Sequence, residues 1–184
     1  MCIILKEILR KEYMKMNEKT LWIMCGCPGS GKSTWLRQNA FENSVVISRD
    51  AIRFAMLAGE DEAEYFKYED KVWNKFINDI RTALTHNDNV YVDATHINEA
   101  SRNKLLNALN LNKDVRVNCI FFDVPDTVCL ARNEMREGRA RVPRGVIRRM
   151  CAQIVPPHMN EKYKYNKIFY IDENGKICKE IGGE

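Results

Sequence analysis

A three-layer α/β domain with a mainly parallel central sheet is what this chain predicts, and three observations carry the prediction. Short apolar runs alternate with helical patterns from Leu21 to Ile171, the order that successive βαβ units generate. The stretch Gly26-Cys27-Pro28-Gly29-Ser30-Gly31-Lys32-Ser33 fits G-x-x-x-x-G-K-[ST] between an apolar run and a helix start, the setting in which a phosphate-cradling loop is built. The length, 184 residues, suits one compact domain with a sheet covered on both faces.

The elements follow in order. Leu21–Cys25 is a short buried strand, and Ser33–Asn39 opens a helix whose N-terminal dipole and free N–H groups favour anions. Ser44–Ser48 is the second strand. Asp50–Leu57 reads as a helix, and Glu62–Ala83 as a longer one with Tyr65, Tyr68, Val72, Trp73 and Phe76 on its apolar side. A third strand, Val90–Val92, ends at Asp93. Asn98 is placed to N-cap the next helix, which runs to Leu109. Val115–Phe122 is the fourth strand and Asp126–Arg136 a helix. An arginine-rich polar stretch then meets Val142-Pro143, and Val146–Gln153 is helical. Ile168–Ile171 is the last long strand, with the Asp172–Gly175 turn and a short hairpin partner after it.

Composition excludes more than it assigns. Hydrophobic residues at 45% and charged residues at 29% are ordinary for a globular protein, and the net charge of +4 is too mild to imply nucleic acid by itself. No apolar run is long enough to span a bilayer, so no membrane role is expected. The seven cysteines form no pair or cluster with metal-ligand spacing. They read as reduced thiols, mostly core fillers, of a cytoplasmic protein. Within the first sixteen residues, Ile3, Ile4, Leu5, Ile8 and Leu9 alternate with charge in an amphipathic helix pattern. Residues 1–19 are therefore set apart as an extension, either a docking helix or the product of an upstream start codon. Residues 20–184 form the domain.

Ligands of such sheets sit beyond the carboxyl ends of the strands. That rule singles out the glycine-rich loop, then Arg49, Asp50 and Arg53, then Asp93, Thr95 and His96. Gly26, Pro28, Gly29, Ser30, Gly31, Lys32, Ser33 and Thr34 are the candidate nucleotide-binding residues, for ATP or GTP, with Ser33 and Asp93 as candidate Mg²⁺ ligands. Asp50 fits two roles, a base toward an attacking hydroxyl or a helix N-cap. Arg53, one turn on, either grips an anionic acceptor or is a solvated helix arginine. Arg132, Arg136, Arg139, Arg141, Arg144, Arg148 and Arg149 crowd one segment. That density suits a solvated surface, a lid over ATP phosphates or a track for a nucleic-acid backbone.

These residues together carry a resemblance. The loop from Gly26 through Trp35, Ser48-Arg49-Asp50 with Arg53, Asp93-Ala94-Thr95 with Asn98, Phe122-Asp123-Val124-Pro125, Arg132-Asn133, Arg136 and Val142-Pro143 resemble the kinase domain of bacteriophage T4-type polynucleotide 5′-kinases, from Leu21 to about Met150. The resemblance implies a P-loop kinase of the adenylate-kinase-like group, with an arginine-rich lid. It also implies transfer of the γ-phosphate of ATP to the 5′-hydroxyl of DNA or RNA, in nucleic-acid end healing. By matching position, Lys32 and Ser33 would hold phosphates and Mg²⁺, and Asp50 would be the general base. Arg53 would hold the phosphate on the 3′ side of the terminal nucleotide, while Arg136, with Arg132, would stabilise the transferring phosphoryl group. Asp93 and Thr95 would complete the acceptor side. Single-stranded ends are the expected acceptors, and a phage-encoded chain would act in its host's cytoplasm. Two features depart from the family. The residues after Met150 contain no Asp-x-Asp-x motif, so the phage enzyme's second activity, removal of 3′ phosphates, is not expected. His96 stands where the family carries a different polar residue. A small-molecule kinase and a nucleotide-dependent switch are the competing readings.

Overall fold

The computed structural model describes residues 19–58 and 67–182. The helix predicted near the N-terminus and the start of the helix predicted from Glu62 lie outside these residues. Six strands form one sheet: β1 (Thr20–Cys25), β2 (Ser44–Ser48), β3 (Asn89–Asp93), β4 (Arg116–Phe122), β5 (Lys167–Ile171) and β6 (Ile177–Gly182). The helices are α1 (Lys32–Asn39), α2 (Arg49–Met56), α3 (Glu69–His86), α4 (Glu99–Leu109), α5 (Asp126–Glu134) and α6 (Arg144–Ala152). Strand order is β2-β3-β1-β4-β5-β6. The first five strands run parallel and β6 returns antiparallel to β5 as the hairpin partner.

Strand periodicity explains the layers. Along β1, Leu21, Ile23 and Cys25 face a core with Val72, Phe76 and Ile80 of α3 and Leu105 and Leu106 of α4, whereas Trp22 and Met24 face Trp35 and Leu36 of α1. Val90 and Val92 against Tyr91, and Cys119 and Phe121 against Ile120 and Phe122, repeat the alternation. Every residue of β1 is buried, as a central strand covered on both faces requires. Cys25 and Cys119 meet across β1 and β4 with their sulfurs 3.1 Å apart, in keeping with thiols used as core fillers.

Local chemistry fixes the boundaries near the crevice. Ser48, not Asp50, caps α2, its hydroxyl accepting from the Ala51 N–H at 3.3 Å. Asp50 thus lies inside the first helical turn, where its charge still favours the positive helix end. Asn98 caps α4 as expected, in a reciprocal capping box with Ser101. The arginine-rich stretch contains a single 3₁₀ turn, Gly138–Ala140. Asn133, buried at the end of α5, closes the base of this stretch. Its amide donates to the Val142 carbonyl at 2.8 Å and accepts from the Val142 N–H at 2.9 Å.

Candidate active site

The glycine-rich loop joins β1 to α1 at the middle of the sheet. At Gly26 and Gly29 its backbone is pressed so closely against its neighbours that a side chain is excluded. At Gly29, φ is +82° and an added Cβ would lie 2.3 Å from the Cys129 carbonyl oxygen; at Gly26 it would lie 2.9 Å from both Phe122 Cβ and Ser30 Oγ. The Gly26 N–H donates to the Thr95 carbonyl at 2.8 Å, so Thr95 enters the site through its backbone. The Lys32 ammonium, nearly buried, donates to the carbonyls of Gly26 and Cys27 at 2.8 Å each and to Ser30 Oγ at 3.4 Å. Burial pushes its pKa down and the neighbouring Asp93 carboxylate opposes this, while the positive charge of Arg136 adds to the depression.

Ser33 Oγ donates to Asp93 Oδ2 at 2.8 Å, which joins the loop to the end of β3 exactly one strand away. Two hard oxygen donors side by side, next to the glycine-rich loop, fit Mg²⁺ and a nucleotide. Pro28 stands in the turn of the loop, and Thr34 is exposed with its hydroxyl accepting from Arg37 at 3.1 Å. Arg132 reaches over the loop: it donates to the Ser30 carbonyl at 3.2 Å and to the Glu173 carbonyl, in the β5–β6 turn, at 2.6 Å. Arg136 contacts the Ala140 carbonyl at 3.5 Å. Arg139 donates to the Leu57 carbonyl at 3.2 Å, tying the arginine-rich stretch to the end of α2.

Asp50 and Arg53 form a second group, at the end of β2. The Asp50 carboxylate is mostly exposed and accepts from Arg53 Nη1. The opposite side of that guanidinium is gripped by Glu69, through Nε at 2.6 Å and Nη2 at 3.1 Å, and Glu69 also accepts from Arg49 at 2.8 Å. Hydrogen bonding to Glu69 is the leading influence that raises the Arg53 pKa. Arginine carries five N–H donors, so one remains on each terminal nitrogen of Arg53, a pair suited to an anion. Arg49 lies 5.4 Å from the centre of the Trp73 ring. No direct contact joins Asp50 or Arg53 to Lys32 among the described residues. The two groups share a neighbour: the charges of both Arg49 and Lys32 act on His96.

His96 is buried with φ at +39°, an uncommon conformation outside glycine. Its Nδ1 lies 3.1 Å from the Met24 carbonyl, which can only accept, so Nδ1 carries the proton. Its own carbonyl accepts from Arg102 at 3.2 Å. Burial, more than the nearby cations, lowers its pKa from 6.5 to about 4. The imidazole is therefore neutral when folded and takes a proton when unfolded. Its contribution to stability is complete above pH 6.5 and disappears as the pH falls toward 4. From this residue alone the protein is expected to be about 2 kcal/mol less stable at pH 5 than at pH 7. Denaturant unfolding at the two pH values, with His96→Asn flattening the difference, measures it.

Glu69 and the pair Arg102–Glu161 carry weight that the motifs did not announce. Arg102, wholly buried on α4, donates through Nε to Glu161 Oε2 at 3.0 Å, through Nη2 to Glu161 Oε1, and through Nη1 to the carbonyls of His96 and Val155. Tyr165 and the His158 N–H also donate to Glu161. Burial works to raise the Glu161 pKa, but these donors, Arg102 foremost, hold it below the usual carboxylate range. The network bolts the β3–α4 connection, and with it His96, to the segment before β5.

Comparison with known proteins gives the wider setting. The family model described as AAA domain matches residues 21–157. Among solved structures, a chain of the Pnkp1/Rnl/Hen1 RNA repair complex superposes with a TM-score of 0.62 at 22% identity, covering 77% of this chain and 46% of that one. This chain thus spans less than half the length of that relative. A chain of the PezAT chromosomal toxin–antitoxin system of Streptococcus pneumoniae gives 0.60 at 16% identity, covering 96% and 79%. A sugar kinase from Janibacter sp. HTCC2649 gives 0.55 at 17% identity, covering 86% and 87%. The fold is that of P-loop kinases, three-layered around a mostly parallel sheet.

Proposed function

The chain belongs to the AAA domain family, and from that premise we propose that it moves the γ-phosphate of ATP onto the 5′-hydroxyl end of DNA or RNA. The observation that carries this reading is the Asp50–Arg53–Glu69 arrangement, a solvent-facing carboxylate beside a guanidinium held from behind. A hydroxyl acceptor needs the carboxylate, and an acceptor that also bears a phosphate needs the guanidinium. The RNA repair complex among the structural relatives supports the same substrate class.

In this mechanism the loop N–H groups, Lys32 and Arg132 would hold the nucleotide phosphates, and Ser33 and Asp93 would hold Mg²⁺. Such a metal would supply charge neutralisation for the phosphates. Asp50 accepts the proton of the attacking hydroxyl. Arg53 binds the phosphate 3′ to the terminal nucleoside and sets the hydroxyl's approach. Arg136, near enough for its charge to be felt at Lys32, stabilises the phosphoryl group in transit. The arginine-rich stretch from Arg136 to Arg144 acts as the lid.

The deciding experiment supplies γ-labelled ATP and Mg²⁺ with 5′-OH DNA, 5′-OH RNA, nucleoside 3′-monophosphates, free nucleosides and small sugars. Acceptors with a 3′-phosphate are expected to dominate. Arg53→Ala should reduce kcat/KM for them by about 10–100-fold, the worth of a charged hydrogen bond or two, while basal ATP hydrolysis stays within about twofold. The match to a sugar kinase, over 86% of this chain and 87% of that one, favours a second reading, a small-molecule hydroxyl acceptor. Transfer to sugars that Arg53→Ala does not affect would establish that reading instead.

A further inference from the structure

Beside the phosphate loop lies a group of three thiols for which the proposed chemistry has no use. Cys27 is in the loop itself, Cys129 is early in α5 and Cys151 is near the end of α6. They pack in one small core with Ile97, Leu130, Ile147 and Met150. The thiols of Cys27 and Cys129 both interact with that of Cys151. Burial, the main influence on each, pushes the Cys27 thiol well up and the Cys129 thiol up to about 11. Those two are buried and protonated, whereas Cys151 is only half-buried. The Cys25–Cys119 pair differs, since both its thiols are wholly enclosed in the main core.

We propose that Cys151 and Cys27 form an oxidant-sensitive pair that turns nucleotide binding off. The co-reactant is a hydroperoxide. It passes one oxygen to the Cys151 thiol, giving a sulfenic acid and leaving as the alcohol, or as water from hydrogen peroxide. The Cys27 sulfur then attacks the Cys151 sulfur, the S–O bond breaks, and water departs with the Cys27 proton. Two thiols have lost two electrons, and one peroxide has gained them. A disulfide holds its sulfurs about 2.05 Å apart, closer than any non-bonded contact, so the loop must shift toward α6. Gly29 of the same loop packs on the Cys129 carbonyl, so closely that a Cβ there would lie 2.3 Å from its oxygen, and drawing the loop toward α6 disturbs that contact. The effect falls on the N–H groups and Lys32 that would receive phosphate. The proposal needs nucleotide binding by the loop and is independent of the acceptor.

The test uses the full chain, treated with excess hydrogen peroxide and then catalase. ATP affinity is measured before and after, with free-thiol titration and non-reducing peptide mapping. Affinity should fall at least ~10-fold, the Cys27 and Cys151 thiols should disappear, a Cys27–Cys151 peptide should appear, and dithiothreitol should reverse all three. Cys151→Ser should bind ATP normally and keep its affinity after peroxide, and Cys151→Ala should behave alike. The idea is overturned if the Cys151 variants lose affinity to peroxide as the parent does. It is equally overturned if the cross-link forms without changing affinity, or if no cross-link involving Cys27 and Cys151 forms.

Discussion

Asp50→Asn is expected to bind ATP within about twofold of the parent protein and to transfer phosphate about 10²–10⁴-fold more slowly. Binding survives because Asp50 touches no part of the phosphate loop; its partner is Arg53. The helix survives because Ser48, not Asp50, supplies the cap. An amide of the same size still accepts the Arg53 hydrogen bond, so what is removed is the capacity to take a proton. Equilibrium binding of ATP and a single-turnover transfer assay separate the two quantities. Undiminished turnover would take Asp50 out of the mechanism. A protein that acts only as a nucleotide-responsive switch would respond to ATP as before.

The largest expected loss of stability comes from elsewhere. Glu161→Gln or Arg102→Met should each cost about 3–5 kcal/mol, since each strands a buried partner. For a protein of this size the melting temperature should fall by about 6–20 °C. Arg102 is the harsher site, because the carbonyls of His96 and Val155 also lose their donor. A double Arg102→Met, Glu161→Leu replacement should recover part of the loss, as it removes both charges together. Thermal unfolding of the three variants tests this; an Arg102→Met protein that melts within 2 °C of the parent would mean the pair is not held as described.

The sheet and the phosphate loop were readable because their signals are local. Leu21–Cys25 is apolar at every position, the glycines of 26–31 can be placed by spacing alone, and Asn98 sits three residues before Ser101. Hence the strands were found within a residue or two of their ends, and the Ser33–Asp93 contact follows from the rule for strand ends. Long-range pairing has no such mark. Glu69 is separated from Arg53 by sixteen positions, and Glu161 from Arg102 by fifty-nine; a lone glutamate in a helix or loop looks solvated until the fold delivers its arginine. Asp50 as a cap was a reasonable alternative on residue type, but serine two positions earlier took the role. The hydrogen bond from the Gly26 N–H to the Thr95 carbonyl likewise leaves no mark in the sequence.

The twin hydrogen bonds between Asn133 and Val142 have a mechanical consequence. They cinch the chain into a hoop closed at its base, with a tether from Arg139 to the Leu57 carbonyl; where that tether lets go, residues 134–141 can swing as a hinged handle but cannot slide or trail. Its sweep is then set by the perimeter of the hoop, and arginines at different places along it strike at different radii. Lengthening the hoop by a residue or two would move that arc outward and leave its footing untouched.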